Sequence, residues 1–407
     1  MNTRKLNLHP SGITRRDGLL ALMGGAAALA GCGGGGGGTA SVGSGGTGSF
    51  SSGTITGFGS IIVNGVRFDD NTASITDDNG GTPDRSELKL GMVATISGSA
   101  VTPGAAGTTP TATASTISFG SELKGPIDSK GTDTFVVLGQ TVKLTASTVF
   151  GPGITGGFGG LTVGQLVEVH GYLDPVANIL TATLVEKQDT ANEYKLQGLV
   201  KSLNTATKTF NIGTLTISYL NIAAADLPAN LANDLLVRVR LNTIPATGTR
   251  TATRVRTVKP KVEDRNEAEL EGTVTAFTSI NSFSVNGIPV NASQASLPAD
   301  TSGLKLGTKV EVKGSTVNGV LIATRVKLET EAEINNLEFE LHGLISALNT
   351  TAKTFVVRGV TVKYTDNFSV TNGTLAQLAD PTKLVEVRGT NDAATSTLLA
   401  TRIKFET

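Results

Sequence analysis

One stretch, ELEGTVTAFTSINSFSVNGIPVNASQASLPADTSGLKLGTKVEVKGSTVNGVLIATRVKLE from Glu269 to Glu329, recurs in altered form five times along the 407-residue chain. Its first-strand glycine returns at Gly53, Gly125, Gly198, Gly272 and Gly343, in steps of 71 to 74 residues. A turn glycine follows each time, at Gly65, Gly139, Gly213, Gly287 and Gly359. A fourth apolar/polar strand ends in each unit at Gly98, Gly171, Leu241, Gly314 and Gly389, and a fifth follows it as ASTISF, ATLVEK, ATRVRT, ATRVKL and ATRIKF. Near-equal copies of this length point to an array of one small domain type, which a single large enzyme core would not give.

Within a copy the periodicity is two, as in Val310-Glu311-Val312-Lys313, and helical stripes are absent. The pattern predicts strands at Gly272–Phe277, Ser282–Val285, Ile288–Asn291, Lys309–Lys313 and Val320–Leu328. Asn286-Gly287 takes the positive φ of a tight hairpin turn at low cost, and Asn318-Gly319 is a second turn signal. A three-strand meander, a connection and a hairpin are the strand order of a small OB-like barrel. An immunoglobulin-like sandwich needs about 100 residues and seven strands. The first-strand glycine is expected to let that strand bend between two sheets. Glu311 with Arg325, and Glu386 with Arg402, are expected as cross-strand partners, and Arg238 would face Arg254. Phe135, Phe283 and Phe355 alternate with polar neighbours and are expected to be buried.

The amino terminus is of a different kind. Arg4, Lys5, Arg15 and Arg16 precede an apolar run from Leu19 to Ala30 that is short for a bilayer-spanning helix. Leu29-Ala30-Gly31-Cys32 then resembles a bacterial lipobox, and Cys32 is the only cysteine in the chain. The resemblance implies acylation of Cys32 and a lipid anchor in the cell envelope. Gly33 after that cysteine favours the outer membrane. Thr14-Arg15-Arg16 resembles the start of a twin-arginine signal, with Gly18 where that signal carries Phe, so either export route stands. Six glycines follow Cys32, and the segment to residue 51 reads as a disordered Gly/Ser-rich tether spanning roughly 25 Å.

The stretch Gly57–Phe68, GFGSIIVNGVRF, with Glu87–Val93, ELKLGMV, is where a family resemblance appears. It resembles the secreted bacterial repeats known as domain of unknown function 5666, strongest in the first copy and weakest in the third. The resemblance implies tandem small β-barrels on envelope lipoproteins, with no settled activity and no catalytic residues to carry over.

The expected organisation is therefore all-β: a signal peptide at 1–31, a tether at 32–51, and OB-like five-stranded repeats at 52–120, 121–190, 191–262, 266–330 and 337–407. The charged links are the expected hinges, Lys259–Arg265 foremost.

Function is constrained more by what is missing. The 34 basic and 34 acidic residues cancel, so no net field steers the chain to nucleic acid. Aromatic residues make up 4% with no Trp, which leaves few stacking platforms. His9 lies in the signal segment, His170 at the end of a fourth strand and His342 in a first strand of another copy, and no His pair, Cys pair or nucleophile motif is present. No cofactor is expected. Asp69, Asp70, Asp77, Asp78 and Asp84 share one Asn- and Gly-rich loop and could offer oxygen ligands to Ca²⁺, although Asp and Asn are equally at home in turns. Three readings follow: a non-catalytic envelope lipoprotein making structural or binding contacts with a protein or glycan, an oligosaccharide- or small-ligand-binding module, and an envelope hydrolase with paired carboxylates, for which no copy shows the pair.

Overall fold

The computed structural model describes residues 47–105, 108–243 and 248–406. It is almost entirely β, and it contains several small five-strand barrels.

Repeat 4 shows how a copy closes. Its first strand, Arg265–Ser279, pairs antiparallel with Ser282–Val285, which forms a hairpin with Ile288–Asn291. That third strand runs parallel to Val320–Leu328, which is antiparallel to Lys309–Val317, and Lys309–Val317 returns to the first strand. The circuit 1-2-3-5-4-1 is the OB order and leaves no edge unpaired. The same circuit runs through repeats 1, 2 and 5. In repeat 3 the first strand is broken at Val200 into Tyr194–Leu199 and Lys201–Asn204. Where larger barrels of this order carry a helix, these have at most a short parallel strand and a single 3₁₀ turn, such as Arg85–Glu87. Phe135, Phe283 and Phe355 are buried in the cores.

Both glycine positions have steric causes. A Cβ at Gly272 would lie 2.2 Å from Asn286 Nδ2, because the hairpin tip folds over the first strand. Asn286 sits there at φ 48° and ties the two together, its Nδ2 donating to Glu271 O (3.2 Å) and its Oδ1 accepting from Thr273 N (3.0 Å). The strand also changes partner beside this glycine, from Lys309–Val317 to Ser282–Val285, as the bend requires. On the fourth strand, Gly98, Gly171, Gly314 and Gly389 each approach the backbone of the fifth so closely that a Cβ would meet a carbonyl oxygen at 2.0 to 2.4 Å.

That approach carries a β-bulge, which corrects the expected register. Lys313 faces Arg325 and Gly314 faces Ala323, so Thr324 is the extra residue. Glu311 therefore opposes Lys327, Glu386 opposes Lys404, and Arg238 opposes Arg256. Arg402 still reaches Glu386 diagonally, at 2.8 Å. A bulge shifts the pairing beyond it, so loop length alone misplaces the partners.

The copies are not separate beads. The expected tether ends earlier than residue 51, because strand Ser49–Phe58 of repeat 1 begins inside it. Ser49–Ser52 run parallel to Glu267–Leu270 of repeat 4, and Phe50, an apolar residue that needs cover, is buried in the core of that repeat. Gly57 and Phe58 at the other end pair with Glu340 and Leu341 of repeat 5. Apolar cores run across the borders between repeats 1 and 5 and between repeats 2 and 3. The link expected to be the foremost hinge is fastened instead: Thr316 Oγ1 donates to Glu263 O at 2.6 Å, and Asn318 N donates to Asp264 Oδ1 at 2.6 Å.

Candidate functional site

The folding-back of the array creates a cleft of about 980 Å³ where repeats 1, 2 and 5 meet. Phe58 ends the first strand of repeat 1, and its pairing with Leu341 brings Phe339 alongside. Phe150 comes from the short strand Val149–Phe150, which lies parallel to Leu184–Val185 in repeat 2. Leu90, Leu184 and Leu398 complete the apolar wall, and Gly151-Pro152-Gly153 leaves one side free of long side chains.

Three cations line the same cleft. Arg85 donates two hydrogen bonds to Asp70, Nε to Oδ2 and Nη2 to Oδ1, both at 2.6 Å. Lys89 is paired with Glu186 of repeat 2. Arg358 differs from both. It stands at the tip of a repeat 5 hairpin with φ 50°, and its Nε donates to His342 O at 2.5 Å. Its terminal nitrogens have no protein partner among the described residues.

Charged seams flank the cleft. In one, Lys195 of repeat 3 reaches Asp78 of repeat 1 (3.1 Å), Ser121 Oγ (3.1 Å) and Glu168 of repeat 2 (3.5 Å). Burial opposes ionisation of Glu168, but Lys195, His170, Ser121 and Lys124 outweigh it and hold its pKa at about 2. Glu122, also buried, is pushed up by burial despite Arg238 and His170. His170 is buried, with Nδ1 3.2 Å from Gly120 O and Nε2 3.7 Å from Glu186.

The second seam centres on His342. Nε2 is 2.7 Å from Glu340, Nδ1 is 2.9 Å from Glu406, and Glu386 lies 4.0 Å away. Glu340, His342 and Glu386 hold ligand-type atoms within 4.8 Å of one another, a spacing a metal ion could use. Their chemistry argues otherwise. Arg67 and Arg388 bond Glu340, while Arg388, Arg402 and Lys404 bond Glu386, so a divalent ion would have to expel guanidinium groups from both acids. Both histidines thus serve in hydrogen-bonded seams.

The acidic loop of repeat 1 does not converge on one point. Asp70 is taken by Arg85 and Asp78 by Lys195, Arg238 and Arg240. Asp69 accepts from Asn71 N, Asp77 from Asn79 N and Gly81 N, and Asp84 from Ser86 N. These are the turn roles that Asp and Asn favour. Cys32 and the signal residues Arg15, Arg16, Leu29, Ala30 and Gly31 lie outside the described residues.

A smaller cavity of about 460 Å³ between repeats 1, 2 and 4 does bring glutamates together. Lys309 Nζ sits between Glu271 (2.5 Å) and Glu329 (3.1 Å), over the buried Tyr172 ring at 4.5 Å. Burial, then the neighbouring Glu271, pushes the Glu329 carboxyl up. The lysine spans both acids, so neither is free to attack a substrate.

Neither cavity was legible in the sequence. Each wall is donated by three repeats, and no local motif announces Arg358 or Phe58 as neighbours.

The chain is thus a folded-back array of OB-order barrels with a shared interior cleft. Residues 124–186, 271–327 and 342–404 match the model of a family described as Domain of unknown function (DUF5666), so the chain carries that family's domain in tandem. Repeats 1 and 3 lie outside the matched segments. Repeat 1 alone carries the acidic loop. A search of the curated proteins finds no match.

Proposed function

We propose that this protein is a non-catalytic lipoprotein of the bacterial cell envelope, whose repeats form one platform that binds a small ligand in the cleft between repeats 1, 2 and 5. The observation that carries this reading is the cleft itself. At about 980 Å³ it falls within the size range of small-molecule sites, and it combines apolar walls with a few placed polar groups. Repeats 1, 2 and 5 each contribute to it, which gives the tandem architecture a purpose that a single barrel could not serve. Acylation at Cys32 would hold the platform at the membrane through the glycine-rich segment that follows, with Gly33 directing it to the outer one by similarity to other lipoproteins. A glycan site on the second and third strands is less favoured, because Phe68, Phe135, Phe210, Phe283 and Phe355, the aromatic side chains on those strands, are buried.

The test is extraction of the acylated protein from its own envelope, followed by native mass spectrometry. A retained non-covalent small molecule that is lost when Thr361→Trp fills the cleft supports the reading. A ligand-free protein from every growth condition tried, or a ligand unaffected by that substitution, overturns it. Cys32→Ser should release the protein from the membrane fraction, and continued retention would overturn the anchor.

A further inference from the structure

We propose that the ligand of the cleft is a single-chain anionic amphiphile, with its apolar chain along Phe58, Leu90, Phe150, Leu184 and Phe339 and its head on Arg358. This rests on the cleft being the binding site.

The walls select the chain. Phe150 and Leu90 are buried side chains at 7% and 5% exposure that nevertheless border the open space, so a chain laid there meets hydrocarbon already withdrawn from water. Three of the polar side chains at the rim are occupied. Asn391 Nδ2 donates to Thr148 O (2.6 Å), Thr395 Oγ1 to Asp392 (2.7 Å), and Ser396 Oγ accepts from Gly157 N (3.1 Å). A sugar, which needs many free donors and acceptors, finds few here.

The cations select the head. Arg85 and Lys89 are neutralised by Asp70 and Glu186, whose carboxylates lie within their reach. Asp84, the other acid on the cleft, is engaged with Ser86 N. Arg358 remains. With Nε anchored on His342 O, its guanidinium is held in place and its two terminal nitrogens can meet a carboxylate or phosphate end-on with paired hydrogen bonds. Gly343 lies beneath it, and a Cβ there would come 3.2 Å from Arg358 Cγ, so the glycine keeps room for the arginine stem.

The experiment uses the full chain carrying Cys32→Ser, which removes its own acyl group as a competitor. Decanoate, dodecanoate and tetradecanoate are titrated calorimetrically below their micellar concentrations, beside dodecyl phosphate and dodecanol. Each added methylene should tighten binding about fourfold until the cleft is full. Arg358→Gln should weaken dodecanoate about tenfold and leave dodecanol unchanged. Thr361→Trp, on the barrel's outer face, should abolish binding of all five with circular dichroism unaltered. Tighter binding of dodecyl phosphate points to a phospholipid-type source, and tighter dodecanoate to a free fatty acid. If dodecanol binds as tightly as dodecanoate, or Arg358→Gln changes nothing, the anionic head is refuted while the apolar cleft stands. If no amphiphile binds and native mass spectrometry still finds a Thr361→Trp-sensitive ligand, only the ligand class falls.

Discussion

Gly314 lies so close to Ile322 on the neighbouring strand that a Cβ at position 314 would come within 2.0 Å of the Ile322 carbonyl oxygen. Backbone cannot swing aside as a side-chain end can, so Gly314→Ala must part the two strands at the bulge. The expected cost is about 1–3 kcal/mol, read as a lower urea midpoint. Gly159, with open space around its would-be Cβ, is the control, and Gly159→Ala should be near neutral. Equal effects at the two positions would show that the close approach is not what the glycine serves.

Phe50 belongs to repeat 1 by sequence and to repeat 4 by packing. Phe50→Ala should cost about 3–5 kcal/mol. Hydrogen exchange should locate the loss in Leu270, Val310 and Val312, which share its core, with the repeat 2 and 3 core spared. A loss confined to repeat 1 would mean that the parallel pairing of Ser49–Ser52 with Glu267–Leu270 does not persist in solution.

Lys195 is buried against Asp78, Ser121 and Glu168, which come from two other repeats. Lys195→Met keeps the stem and removes the charge. Arg240 remains beside Asp78, and Lys124 beside Glu168 at 3.2 Å, so the loss should be moderate, about 1–3 kcal/mol in thermal unfolding. An unchanged melting temperature would reduce this seam to a passive contact.

Glu168 ties the same seam to pH. Its folded pKa of about 2 lies below the ordinary value of 4.5, so its contribution is complete above about pH 4.5 and fades as pH falls toward 2. The stability gap between the wild type and Glu168→Gln should therefore be about 3 kcal/mol at neutral pH and close between 4.5 and 2. A gap that stays constant across that window would contradict the ion-pair account. Glu122 acts in the opposite sense: raised by burial, it favours the fold while protonated and weakens it as pH rises through its folded value.

Much of one repeat could be read from the chain. The strands Ser282–Val285, Ile288–Asn291 and Val320–Leu328 lie where alternation and the Asn-Gly turns put them, since period-two burial and positive-φ turns are local matters. The first and fourth strands run longer than alternation indicates, to Arg265–Ser279 and Lys309–Val317, because partners across the barrel and in other repeats extend them. Glu311 opposes Lys327 and not Arg325 because the bulge at Thr324 adds a residue that alternation does not count, although the recurring Gly314 opposite Ala323 marks where it falls. Of the candidate site, the acidic loop was visible as a cluster, yet its carboxylates disperse to Arg85, Lys195 and backbone amides.

By itself the sequence determined the repeating unit, its all-β character, its barrel strand order and its glycines, because each follows from side-chain alternation and backbone sterics within about seventy residues. Only the tertiary structure decided that repeat 1 is clasped between repeats 4 and 5, and that Arg358, Phe58 and Phe150 share one cleft. Such contacts join residues up to three hundred positions apart, and they depend on which barrel surfaces fit together, a property that no single segment encodes.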